Sequence, residues 1–211
     1  MRHLIRVALG VLLLFALAEL AIRLTGGAGG SLEATYLPTP FKTIQAVSIS
    51  ISSGQTNTAT LSTAVNLANT IVVYGGQTST DTSGFHNGSG WAYCLPTATT
   101  TITCYRGVTG SSVTVNVTVL EFASGLLRSA TRCGAIQMSG LTGTAVISPP
   151  VVAAKSFVVM TGIADPYITA TSTADNDVMV RLSLAAGVIT ATKAGGGAYN
   201  NAIGYCVAEG K

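Results

Sequence analysis

The chain has 211 residues, of which 9% are charged, and its formal net charge is +3. Soluble domains usually carry about 25% charged residues, so a surface of Thr, Ser and Gly suits a particle subunit or an exported protein better than a cytosolic enzyme. Val and Ile recur throughout, which argues against disorder, and three of the Arg residues lie in the first 23 positions, so no basic stripe remains for nucleic acid.

Residues 1–25 form a hydrophobic N-terminal segment, for which we expect a helix. A basic start, an apolar run from Val7 to Leu17 and small residues up to Ala18 are typical of a secretory signal peptide. A retained membrane anchor is the alternative, but it would bury Glu19 and Arg23 in hydrocarbon at a cost. A helix that packs against neighbouring subunits is the third reading. Any membrane contact would run through residues 1–24, and residues 26–41, rich in Gly and Pro, are expected to be a linker.

An internal repeat follows the linker. Ala59 to Gly76 aligns without a gap on Ala145 to Gly162, at an offset of 86 residues. The further matches are Ile44-Gln45 with Ile136-Gln137, Ile102-Thr103 with Ile189-Thr190, Arg106 with Lys193, and Val115 to Glu121 with Ile203 to Glu209. Two copies are too few for a solenoid, which needs about three or more. The sequence therefore predicts two small units, 42–123 and 132–211, joined by residues 124–131.

Both units carry strand signals bounded by Gly, Asn, Ser and Pro. The predicted strands are Ile44–Ile51, Ile71–Tyr74, Trp91–Leu95, Thr101–Tyr105 and Val113–Val119, and then Thr144–Ile147, Ser156–Met160, Val178–Leu184, Val188–Thr192 and Ala202–Val207. No apolar pattern of helical period occurs after residue 25. Short strands at this spacing predict an all-β fold of two tandem antiparallel β-sandwich or jelly-roll-like units.

The four cysteines suggest disulfides, because the chain has the pattern of an exported protein. Cys94 and Cys104 lie symmetrically about the turn of a predicted hairpin, whereas Cys133 and Cys206 lie at the two ends of the second unit. These two pairs are favoured over the other two of the three pairings. Buried free thiols are the alternative. A zinc site is poorly supported because no two cysteines have ligand spacing.

The sequence offers little for catalysis. His86 is the one histidine after the N-terminal segment, and it lies in a Gly-rich stretch that is best explained as an exposed loop tip. Asp175 and Asp177 flank an Asn in a triplet that fits a turn better than a calcium site. No phosphate-binding or dinucleotide-binding motif is present. We therefore expect no catalytic residues, no metal and no cofactor.

The loops that follow the central strands, 75–90 and 161–177, differ between the two copies, as a recognition surface on a shared scaffold would. The candidate binding residues on these loops are Phe85, His86, Asn87, Tyr167, Asp175 and Asp177.

The first unit resembles small β-rich virion proteins of tailed bacteriophages. The resemblance rests on Ile44-Gln45, Ile49 to Gly54, Thr58 to Leu61, Asn66 to Tyr74, Thr103 to Gly107 and Val115 to Phe122. It covers most of the first unit and, more faintly, the second. It implies a structural role in a virion, as a capsid decoration, tail-associated or fibre component, without catalytic residues. The N-terminal segment departs from this family, since virion proteins assemble in the cytoplasm.

The expected function is that of a non-enzymatic virion structural protein that assembles as a repeated subunit. Its expected partners are further copies of itself, other virion proteins and a host-surface receptor or glycan. The alternative is a secreted or surface-anchored bacterial adhesin or fibre subunit, exported through the N-terminal signal.

Overall fold

The computed structural model describes residues 40–80, 91–107, 109, 111–164, 180–185, 187–193 and 201–211. Over these residues the chain forms antiparallel β-sheets and no α-helix. The strands are β1 (Phe41–Ile51), β2 (Thr56–Thr60), β3 (Thr70–Ser79), β4 (Ala92–Ala98), β5 (Thr101–Arg106), β6 (Val113–Phe122), β7 (Arg132–Met138), β8 (Thr142–Val146), β9 (Ser156–Ala164), β10 (Val180–Ala185), β11 (Val188–Lys193) and β12 (Asn201–Glu209). Two short 3₁₀ helices, Leu67–Asn69 and Ala153–Lys155, precede β3 and β9. The predicted all-β, sandwich-like fold is confirmed at this level.

The described strands form three sheets. One has the order β1-β6-β3, another has the order β10-β11-β8, and the third has six strands in the order β2-β5-β4-β9-β12-β7. The six-stranded sheet is joined at its middle by a single cross-strand pair, Tyr93 with Gly162. Strands from the first and second halves of the chain are therefore linked at this one pair, where β4 crosses the face of β9 and β12.

The strand order repeats along the chain. The first six strands give the orders β1-β6-β3 and β2-β5-β4, and the last six give β7-β12-β9 and β8-β11-β10. The 3₁₀ helices occupy the same place in each series, and their first residues are 86 positions apart. Ile71 to Val73 and Phe157 to Val159 lie in β3 and β9, as the offset of 86 predicts.

One of the sequence matches was wrong. In the β1–β6 pair Ile49 lies opposite Val115, and in the β7–β12 pair Ile136 lies opposite Ile203, which follows Val115 by 88 residues. Ile136 thus corresponds to Ile49 and not to Ile44. The match of Ile44-Gln45 with Ile136-Gln137 reflected two similar dipeptides at different positions of their strands, because register is set by cross-strand pairing.

A β-bulge occurs at the same place in β3 and β9. Gly75 is the extra residue in β3 and Thr161 in β9, as the shifts in pairing show. Each bulge is followed by a glycine in a backbone conformation that other residues rarely adopt: φ is 118° at Gly76 and 127° at Gly162. The two glycines are 86 residues apart.

The core of the first half follows the alternation of β6. Val113, Val115, Val117 and Val119 are each at most 3% exposed, and they pack in one cluster with Ile49 and other residues of the first half. The intervening residues of β6 are more exposed, which is the period of two expected of a sheet with one buried face. Burying a side chain of this size contributes about 1.5–3 kcal/mol.

All nine residues of β12 are buried, which distinguishes it from β6. Ile203 and Val207 belong to the cluster of the second half, whereas Cys206 and Ala208 belong to the cluster of the first half. Alternate residues point to opposite faces of a strand. The face of β12 that is turned away from its own core is therefore covered by the first half of the chain.

Several expectations concern residues outside the described ranges. These include the N-terminal helix of residues 1–25 and nearly all of the linker 26–41. In the described part of the chain, no helix has the length and apolarity needed to cross a membrane. Residues 124–131 are described: Leu127 bridges Gly210, and the Thr131 hydroxyl donates to the carbonyl of Thr70 at 2.8 Å.

Candidate interaction surfaces and their supports

A buried carboxylate lies at the end of β6. Glu121 is 1% exposed and accepts hydrogen bonds from the ammonium group of Lys42 at 3.0 Å, from the hydroxyl of Thr43 at 3.0 Å and from the backbone N–H of Asn66 at 3.2 Å. These partners come from the start of β1 and from the residue that caps the first 3₁₀ helix. Glu121 therefore fastens three segments that are distant in sequence.

Glu209, at the end of β12, has partners of the same three kinds: a basic side chain, a hydroxyl and a backbone N–H. It accepts from the guanidinium of Arg128 at 3.2 Å, from the hydroxyl of Ser129 at 2.9 Å and from the backbone N–H of Val152 at 3.1 Å. Each donor follows its counterpart at Glu121 by 86 residues. We call these two arrangements the carboxylate clamps.

The clamps keep both carboxylates ionised. Burial alone raises the pKa of Glu121, but the bonds from Lys42, Asn66 and Thr43 together outweigh it and leave the pKa below its usual value. The Val152 N–H is the largest cause that lowers the pKa of Glu209; burial opposes it, and Ser129 and the neighbouring arginines lower the pKa further. Both carboxylates are engaged by donors of the fold itself, which is the chemistry of a structural support.

Two disulfides link directly opposed residues of neighbouring strands. Cys94 is bonded to Cys104 across the β4–β5 hairpin, and Cys133 to Cys206 between β7 and β12. This is the favoured pairing from the sequence, and the described chain has no free cysteine. The bonds do not occupy matching places: the pair in β1 and β6 that corresponds to Cys133 and Cys206 is Ala46 and Thr118.

Tyr93 of β4 makes the most specific contact between the two halves of the chain. Within its own half, its ring stacks on that of Tyr105, with 5.2 Å between ring centroids. A Cβ built on Gly204 would lie 2.8 Å from the Cβ of Tyr93, and one built on Gly162 would lie 2.7 Å from its Cα. Tyr93 also clusters with Ala164 and Ala202, with Ala135 packed alongside. We call this contact, of β4 on the face of sheet β7-β12-β9, the internal joint.

The corresponding face of sheet β1-β6-β3 carries a shallow cavity. It has a volume of about 230 Å³ and is lined by Ala46, Val47, Ser48, Gly75, Asn116, Val117 and Thr118. The cavity lies beside the bulge of β3, and a Cβ built on Gly76 would meet no described atom within 4 Å. We call the surface around Ser48, Gly75, Gly76 and Asn116 the open face.

The candidate binding residues of the loops lie outside the described ranges. Phe85, His86 and Asn87 fall in 81–90, whereas Tyr167, Asp175 and Asp177 fall in 165–179. Among the residues that are described, no group of three or more His, Cys, Asp or Glu side chains could hold a metal ion.

The sequence reasoning missed the carboxylate clamps and the internal joint. The basic and hydroxyl residues Lys42-Thr43 and Arg128-Ser129 are 86 positions apart, so the repeat could have revealed the clamps. No sequence signal marks the joint, since Tyr93 has an unrelated residue, Arg181, at the corresponding position.

A comparison with protein-family models, with curated proteins and with solved structures found no match to this chain.

Proposed function

We propose that this protein is a non-enzymatic structural component of a bacteriophage virion, a capsid decoration, tail-associated or fibre subunit that assembles in repeated copies. The observation that carries the proposal is the repetition of one β scaffold with its strand order, its bulge and its carboxylate clamp. Duplicated scaffolds supply repeated surfaces on a fixed frame, which suits assembly. The resemblance of the first half to small phage virion proteins points the same way.

The proposal includes two tandem β-sandwich units. Supporting it are the strand orders β1-β6-β3 and β7-β12-β9, each of which shares a hydrophobic cluster with a second three-stranded set. The second unit then begins near Arg128, earlier than residue 132, because Arg128 and Ser129 bind Glu209 as Lys42 and Thr43 bind Glu121. The expected loops 75–90 and 161–177 begin too early, because residues 75–79 and 161–164 lie in β3 and β9. The segments that follow these strands, 80–90 and 165–177, would carry contacts to a host receptor or glycan.

A second candidate is an exported bacterial surface subunit, and the two disulfides favour it. Disulfides persist in secreted and cell-surface proteins and on virions, whereas cytosolic thiols stay reduced. The pattern of a signal peptide ending near Ala18 agrees with export. The two candidates differ in where the chain starts and in what it is attached to.

Intact mass and fractionation from the native source decide between them. A chain that begins at Met1 and sediments with purified particles supports the virion proposal. A chain that begins near Glu19 and is recovered from the cell surface supports the exported subunit. Recovery only as a soluble cytosolic protein with neither association would contradict both.

A further inference from the structure

The internal joint lies on one of two equivalent sheet faces. Among the described residues, only that face has another strand of the chain packed on it. On sheet β7-β12-β9 the face is occupied by Tyr93 of β4. Cross-strand pairing places Asn116 where the other sheet has Gly204, and Ser48 where it has Ala135. Among the described residues, the open face is therefore the uncovered counterpart of a surface that is already an interface inside the chain.

The counterpart of Tyr93 is also exposed. Tyr93 pairs with Tyr105 in β4–β5, and Arg181 pairs with Thr192, 87 residues after Tyr105, in β10–β11. β10 is at the edge of its sheet, and Arg181 is exposed with no ion-pair partner in the described chain. Sheet edges of this kind need to be covered or paired.

We propose that copies of this chain associate head to tail, with β10 and Arg181 of one copy on the open face of the next. This inference rests on the proposed function and names the partner as a second copy. The contact repeats between chains the arrangement that joins β4 to sheet β7-β12-β9 within a chain. Because the two surfaces differ, the interface is heterologous, so it builds rings or filaments and not closed two-fold dimers.

The proposed contact is polar on both of its sides, whereas the internal joint is largely apolar. Inside the chain, small apolar residues such as Ala135 and Gly204 receive the ring of Tyr93. On the open face, Ser48 and Asn116 supply a hydroxyl and a side-chain amide, each with an oxygen that can accept a hydrogen bond, and the incoming residue is Arg181. A guanidinium has five N–H donors and no acceptor, so it suits a face that offers oxygen acceptors.

Sedimentation velocity of the full chain over a concentration series tests the contact. The weight-average mass of the wild type should rise with concentration. Arg181→Glu and Asn116→Arg should each weaken association about tenfold or more, equivalent to the loss of one charge-assisted hydrogen bond. Thr144→Glu on β8 and Thr58→Arg on β2, which introduce the same charges at exposed positions elsewhere, should leave association unchanged.

Mixing the two single variants tests the head-to-tail geometry. Arg181→Glu keeps an intact open face and Asn116→Arg keeps an intact β10, so one of the two contacts in the mixture is the wild-type contact. The other contact places the two introduced charges, which are opposite in sign, against each other. The mixture should therefore associate further than either variant does alone. The double variant places opposite charges across the contact and should recover association.

A wild-type chain that remains monomeric at every concentration would overturn the inference, as would single variants that associate like the wild type. Monomeric protein recovered from purified particles would overturn the contact and leave the virion proposal standing. If Asn116→Arg abolished particle binding by such a monomer, the open face would belong to another virion protein, and self-association would be wrong. Head-to-tail association of a chain that is never found on particles or cell surfaces would support the contact while removing the proposed function.

Discussion

Replacing Gly162 by alanine should destabilise the protein more than the same change at Gly76. Both glycines follow a β-bulge and have positive φ, so each alanine introduces backbone strain of about 1–3 kcal/mol. Both changes also restrict the unfolded chain, which offsets about 0.4–1 kcal/mol in each variant. These contributions cancel in the comparison.

The difference between the variants comes from the internal joint. A Cβ at Gly162 would overlap the carbonyl oxygen of Ala92 and lie 2.7 Å from the Cα of Tyr93, and both atoms belong to the backbone of β4. Backbone cannot move aside as cheaply as a flexible side chain, so we expect an additional cost of about 1–3 kcal/mol. A Cβ at Gly76 meets no described atom within 4 Å and should add no such cost.

The assay is urea unfolding of the oxidised protein, with the free energy of unfolding compared at equal m-values. Gly204→Ala provides a third variant, since its Cβ would overlap the hydroxyl oxygen of Thr161 and lie 2.8 Å from the Cβ of Tyr93. Its loss should come from crowding alone, because no positive φ is involved. Equal losses for Gly162→Ala and Gly76→Ala would show that β4 does not approach Gly162 closely in solution.

The other predictions concern the clamps, the disulfides and one half-buried phenol. Glu121→Ala should lower the free energy of unfolding by about 1.5–3 kcal/mol, the value of a hydrogen bond to a charged group, in urea unfolding at pH 7. Folding lowers the pKa values of Glu121 and Glu209, so the stabilisation from the clamps is present above the unfolded carboxyl pKa of about 4.3 and is lost as pH falls through the lower folded values. Glu121→Gln should therefore flatten the acid side of the plot of stability against pH. An unchanged plot would contradict the clamp. Replacing both cysteines of the β7–β12 disulfide by alanine should lower the free energy of unfolding by about 4 kcal/mol, and the same change in the hairpin disulfide by about 3 kcal/mol. The reason is that the β7–β12 disulfide closes a separation of 73 residues and the hairpin disulfide one of 10. The reverse order in thermal or urea unfolding would refute this. Burial raises the pKa of Tyr74 to about 12, so its ionisation in an ultraviolet titration should lag behind that of exposed tyrosines, and stability should fall as pH rises from about 10 towards that value.

Most strands could be located from the sequence because their signals are local. The alternation of β6 and the turn between Cys94 and Cys104 each depend on neighbouring residues only, and both lie where they were expected. β2 was missed because Thr56 to Thr60 is an almost wholly exposed edge strand, so it has no apolar alternation to detect. β9 extends to Ala164, beyond the expected end at Met160, because its last residues are buried by tertiary contacts.

The clamps are an intermediate case. The sequence places Glu121 and Glu209 at matching ends of the repeat, and it contains the two basic-hydroxyl pairs at the offset of 86. Only the fold brings these residues together with the N–H groups of Asn66 and Val152, since strand pairing closes a separation of more than 50 residues in each case. The chemistry of each clamp was therefore present in the sequence, but its geometry was not.

The sequence by itself determined the β character of the chain and the Cys94–Cys104 pair, because side-chain alternation, turn residues and hairpin symmetry act over short distances. The offset of the repeat came from aligning the two halves, and the Cys133–Cys206 pair from the places of these residues at the two ends of the second unit. Only the tertiary structure decided that Tyr93 lies against Gly162 and Gly204, that β12 is buried on both faces, and that no described residue covers the matching face around Asn116. Two nearly equivalent sheets have the same local pattern. What separates them is which face another part of the chain covers, and that depends on how whole surfaces fit together.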